Sequence, residues 1–110
     1  MKTPDDLKSR AINLKAFVSY AGQSVVSKTL IDKQNGTLTL FAFDAGQGLS
    51  EHTAPFDAVV EILDGEAELK IGGNQVTAGI GEMVIMPANT PHSLHARQRF
   101  KMLLTMLRSE

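Results

Sequence analysis

Between residues 46 and 92 the chain carries two histidine-bearing segments joined by a run of short strands, GQGLSEHTAPFDAVVEILDGEAELKIGGNQVTAGIGEMVIMPANTPH. Each segment combines a glycine turn, an alternating stretch and one histidine, His52 in the first and His92 in the second. In residues 66–71, Ala67, Leu69 and Ile71 alternate with Glu66, Glu68 and Lys70, the period of a strand with one buried face. Residues 36–43 (GTLTLFAF) alternate in the same way, Thr37 and Thr39 against Leu38 and Leu40. Helices cannot bury a pattern of period two on one face, so these strands must close on one another.

Strands are expected at Phe17, Val18 and Tyr20, then over residues 24–31, 36–43, 58–63, 66–71, 75–77, 83–86, 92–96 and 100–107. Asp64-Gly65 reads as a two-residue hairpin turn between two of them. Thr3-Pro4-Asp5-Asp6 reads as a helix start, with a capping threonine, proline at the first position and acids at the positive end of the dipole. That predicts one short helix over residues 4–10. Nine or ten short strands without a helical crossover predict an antiparallel sandwich or barrel.

With 110 residues the chain supports a single core, residues 1–110 as one domain. A net charge of −1 supplies no field for nucleic acid or for an anionic membrane surface, so neither partner is expected. The local basic excess at Arg97, Arg99, Lys101 and Arg108 is expected to be a solvated strand face. There is no cysteine, which removes disulfides, thiolate zinc sites and cysteine nucleophiles. MKTPDDLKSR lacks the apolar centre of a signal peptide, and no apolar run approaches the ~18 residues of a membrane span. A cytoplasmic location is the resulting expectation.

Gly46, His52 and Gly65 stand at the spacing of the first cupin motif, and Gly81, Pro87 and His92 at that of the second. On these residues the chain resembles the cupins, small β-barrels of jelly-roll type, and in particular the single-domain conserved-barrel cupins. The resemblance implies an all-β jelly-roll barrel over residues 36–107, with a short helix and strands in residues 1–35. It also implies a homodimer, with N-terminal strands such as residues 24–31 adding to a neighbour's sheet. Departures fall on the family's metal ligands: Ala54 stands where its second histidine belongs and Ala58 where its glutamate belongs. Asn89 replaces the second motif's glycine, and asparagine tolerates the left-handed backbone. Ala96 replaces its closing asparagine.

Two of the family's four ligands therefore remain, His52 and His92. Neutral imidazoles suit one divalent transition ion of iron, manganese, nickel, zinc or copper, yet metal sites usually carry three or more protein ligands. Asp57, His95, Glu51 and Glu61 are the nearby candidates to complete the set, and alternation turns each away from the barrel interior. Ala54 and Ala58 leave room, which suits a small, partly apolar ligand lined by Phe56, by Phe41 or Phe43, by Met83 or Met86, and by Met102 or Met106. Alternation is expected to admit one member of each pair.

Three functions follow as expectations. The first is a module that binds a small molecule, with the two histidines as polar anchors or a degenerate metal site. The second is a metal-dependent dioxygenase, isomerase or lyase using His52 and His92. The third is metal-free acid–base chemistry of the epimerase kind, with either histidine as catalytic base and Asp57 as its acidic partner.

Overall fold

The computed structural model describes residues 5–108. Its strands are β1 (Val25–Lys33), β2 (Gly36–Phe43), β3 (Gly48–His52), β4 (Asp57–Ile71), β5 (Asn74–Gly79), β6 (Met83–Met86), β7 (His92–His95) and β8 (Phe100–Leu107). All pairings are antiparallel in the order β1-β2-β8-β4-β7-β3, with β5 and β6 also laid against β4. This is the antiparallel all-β barrel that the strand pattern predicts, of the jelly-roll type that the resemblance implies, with eight strands among the described residues in place of nine or ten.

Alternation sorts the curled sheet into two faces. Phe43 lies opposite Phe100 and Phe41 opposite Met102 across the β2–β8 pair, and Phe100 and Met102 join Ala58, Val60 and Ile62 of β4 in the inner core. Phe43 and Phe100 are fully buried and stack with centroids 4.5 Å apart, a contact worth about 0.5–1.5 kcal/mol beyond the area it buries. The intervening residues Leu40, Ala42 and Leu103 point outward and form a second cluster with Val18 and Leu30.

The N-terminal segment covers that outer cluster, and here two expectations are corrected. The expected helix over residues 4–10 is a single 3-10 turn at Asp5–Leu7, and Pro4 lies outside the described residues. The α-helix sits later, α1 at Leu14–Phe17, because the side chain of Asn13 accepts the Ala16 N–H at 3.2 Å and caps it. Phe17, Val18 and Tyr20 consequently form no strand. Val18 is buried against the sheet, and the Tyr20 hydroxyl donates to Asp64 at 2.6 Å.

Asp64-Gly65 is not a hairpin turn either. β4 runs through it, pairing with β8 and β6 before Gly65 and with β5 and β7 after it. A register shift between Ile62 and Asp64 and a left-handed φ of +71° at Gly65 bend the strand from one wall of the barrel to the other.

Arg97, Arg99 and Arg108 are exposed but lie outside the strands, and Lys101 alone sits on β8 and is half-buried, so the expected solvated strand face is corrected; each member of the basic cluster is engaged. Arg97 pairs with Glu68 at 2.6 Å and Arg99 with Asp44 at 2.8 Å, Lys101 donates to the Lys15 carbonyl, and Arg108 donates to the Lys33 carbonyl. Asp44 also accepts the Gln23 N–H at 2.7 Å. Arg99 first, and then the Gln23 N–H, hold its carboxyl at about 2, below its ordinary 3.8. Asp64 is lowered as well, first by the Tyr20 hydroxyl, and burial with that same bond raises Tyr20.

A folded-state pKa below the unfolded one stabilises the fold above the unfolded value and stops doing so as pH falls through the folded value. Stability from Asp44 is therefore complete above about pH 4 and disappears toward about pH 2. Asp44→Asn should lower the urea midpoint at about pH 5 and leave it nearly unchanged at about pH 2. An equal loss at both would refute the assignment.

Candidate functional site

The two histidines meet at the end of the β3–β7 pair, where His52 lies opposite His92 after a register shift beyond Leu49. Two backbone bonds fix the loops that carry them. The Asn89 N–H donates to the Ala54 carbonyl at 2.7 Å, tying the loop before His92 to the loop after His52. Asn89 makes that turn with φ +62°, the left-handed conformation expected of it. The Gly72 N–H donates to the Pro91 carbonyl at 2.8 Å and anchors the residue just before His92.

His92 is 4 % exposed, whereas His52 stands open at the mouth. Their Nε2 atoms are 3.1 Å apart and their rings cross at 72°. Each Nδ1 faces a carbonyl oxygen two residues back, Ser50 for His52 at 2.8 Å and Thr90 for His92 at 3.1 Å. A carbonyl only accepts, so both Nδ1 atoms must carry hydrogen. Neutral rings would then aim two Nε2 lone pairs at each other. Three contacts need three protons and two neutral imidazoles supply two, so the pair calls for one added positive charge, a proton or a metal ion.

A metal fits that requirement as far as the pair goes. Two nitrogens bound to one ion at the usual ~2.0–2.1 Å stand about this far apart, and a backbone carbonyl on the far nitrogen is the usual support of a ligating histidine. The rest of the family's ligand set is missing. Among the described residues no third His, Cys, Asp or Glu joins the two. Asp57, the nearest carboxylate in the expected place, turns outward and accepts the Ala88 N–H at 2.9 Å. Glu51, Glu61 and His95 are exposed.

Beneath the pair lies a small cavity of about 40 Å³. Ala54, Phe56, Ala58, Met86 and Met102 line it as the sequence suggests, together with Leu49, Leu94, Leu104 and Met106. Met102 and Met106 both line it, where one of the two was expected, because residues two or four apart on a strand share a face and alternation does not separate them. By the same rule Phe41 and Phe43 share a face, and neither lines the cavity. They stack on each other at 5.9 Å and Phe43 on Phe100, filling the barrel elsewhere. Met83, of opposite parity to Met86, is exposed on the outer side.

The chain matches the cupin domain family over residues 39–106, more than half its length. It belongs to the cupins. Among solved structures, this cupin is similar to a conserved protein of unknown function from Streptococcus pyogenes, at 34 % identity and a TM-score of 0.88. That match covers 93 % of this chain and 90 % of the other. It is also similar to a cupin 2 conserved barrel domain protein from Leptotrichia buccalis, at 38 % identity and a TM-score of 0.85 over 88 % of this cupin and 47 % of that chain. A third, a cupin superfamily protein from Desulfitobacterium hafniense, is 25 % identical with a TM-score of 0.87 over 99 % of this cupin and 97 % of its own chain. A comparison with curated proteins finds no match.

Proposed function

We propose that this cupin is a binding module that holds one metal ion between His52 and His92 and takes a small, partly apolar molecule at the mouth beside them. The observation that carries this reading is the pair of Nε2 atoms 3.1 Å apart with both Nδ1 atoms bonded to carbonyls, an arrangement that calls for a cation. The ligand's donor atom would meet that ion and its apolar part the Phe56 and Leu49 side of the opening. With so little free volume beneath the pair, a ligand much larger than a few heavy atoms would extend outward past His52. The acid–base alternative needs a carboxylate beside the histidines, and Asp57 is committed to Ala88.

Equilibrium dialysis against Zn(II) and Ni(II), chosen as air-stable probes for imidazole, tests the reading. One ion per chain is expected, with affinity falling at least about 10-fold in His52→Ala and in His92→Ala, because even supporting groups of a metal site are worth that much. Butyrate, a short apolar acid, is expected to bind the loaded protein and to lose affinity in the same variants. Metal uptake unchanged in the double variant would overturn the proposal.

A further inference from the structure

The cavity holds an unusual donor set. Three of the chain's five methionines, Met86, Met102 and Met106, line the space that His52 and His92 close. Two of them are placed with purpose by the sheet: Ala58 on β4 lies opposite Met86 on β6 and opposite Met106 on β8. The position where a cupin's glutamate belongs is thus an alanine, flanked on both neighbouring strands by a thioether. A hard, charged oxygen donor has gone, and soft, neutral sulfur donors stand on either side of the gap.

That exchange changes which ion the cavity suits. Thioether sulfur and imidazole favour soft copper(I), whereas carboxylate and water favour magnesium, manganese and iron(II). Charge argues the same way. Ala58 is 3 % exposed, Met86 2 % and Met102 0 %, so an ion under the pair leaves water for an apolar wall without a carboxylate to compensate it. The cost of moving an ion into such a medium grows with the square of its charge, so a divalent ion costs roughly four times a monovalent one of equal size. The small free volume also excludes an ion that keeps its hydration shell.

We infer that the cavity beneath His52 and His92 is a soft-metal site for a monovalent, cuprous-type ion, with the thioethers of Met86 and Met106 in the role of the lost carboxylate. The inference rests on the histidine pair holding a metal. Methionine in a barrel usually only fills space, and its exchange for leucine keeps volume while removing sulfur, which makes the distinction testable.

Copper(I) is titrated anaerobically into the protein against bicinchoninate as a competing chelator. One ion per chain is expected, not displaced by excess Zn(II) or Mn(II). The Met86→Leu/Met106→Leu double variant should bind copper(I) at least about 10-fold more weakly, with Zn(II) affinity at the histidines unchanged. Silver(I), a stable substitute, gives a second measurement that needs no substitution: it should shift the methyl resonances of Met86 and Met106 in the unaltered protein. Copper(I) affinity lost in His92→Ala but unaltered in the methionine double variant, with unmoved methyl resonances, would overturn the soft site and leave the histidine reading standing. An unaltered protein that takes up neither copper(I), silver(I) nor Zn(II) would remove both.

Discussion

Replacing Gly65 by alanine is expected to destabilise the fold by at least about 3 kcal/mol. Holding an L-residue at the φ of +71° found there costs roughly 1–2 kcal/mol in itself. Contact adds to this, because an added Cβ would overlap the Arg99 carbonyl oxygen and come within 3.0 Å of the Phe100 Cα. Both are backbone atoms, one at the start of β8 and one in the residue just before it, and cannot swing aside. Relief requires β4 and β8 to separate where Phe100 stacks on Phe43, so the strain reaches the centre of the inner core. Gly46 supplies the control. Its φ is +87°, yet nothing lies within 4 Å of an added Cβ, so Gly46→Ala should cost only the ~1–2 kcal/mol of the backbone conformation. Urea unfolding of the two variants measures the difference, and equal losses would show that the approach of β8 is not what requires glycine at 65.

Gly65 also marks the limit of what was legible in the sequence. Asp-Gly has the same turn chemistry whether the chain reverses or a strand kinks, and the choice is made by Arg99 and Phe100, some thirty-five positions away. The strands at residues 36–43, 83–86 and 100–107 were readable because alternation and turn residues agreed there. α1 was not, since four residues are too few for a helical period to show and only Asn13 signals the cap. At the site, it was the resemblance to the cupins that implied His52 and His92 lie together. Their bonds to Ser50 and Thr90, which fix the hydrogen on each ring, depend on backbone geometry that no spacing reports. Met106 was within reach of plain parity, and Asp57 was correctly turned away by it.

Ala58→Glu is expected to make folding dependent on metal. Position 58 is 3 % exposed and lies between Met86 and Met106, so without an ion the new carboxylate is a buried charge with only the histidine pair to offset it. An uncompensated buried charge costs about 3–5 kcal/mol, an upper bound here because the imidazoles offset part of it. Part of any loss would come from bulk, since overfilling a core costs about 1–3 kcal/mol, and Ala58→Met measures that part without the charge. Mn(II), a hard ion that prefers carboxylate oxygen, should then restore the glutamate variant by ~2.7 kcal/mol at a hundred times its dissociation constant. It should do little for the unaltered protein or for Ala58→Met. Adding His92→Ala to the glutamate variant should abolish the rescue, because the carboxylate and the imidazole must share one ion. Thermal unfolding with and without Mn(II) reads all four proteins. A glutamate variant that unfolds at the same temperature in both conditions would mean that position 58 and the histidine pair do not face a common centre, and the case for a cation there would fall with it.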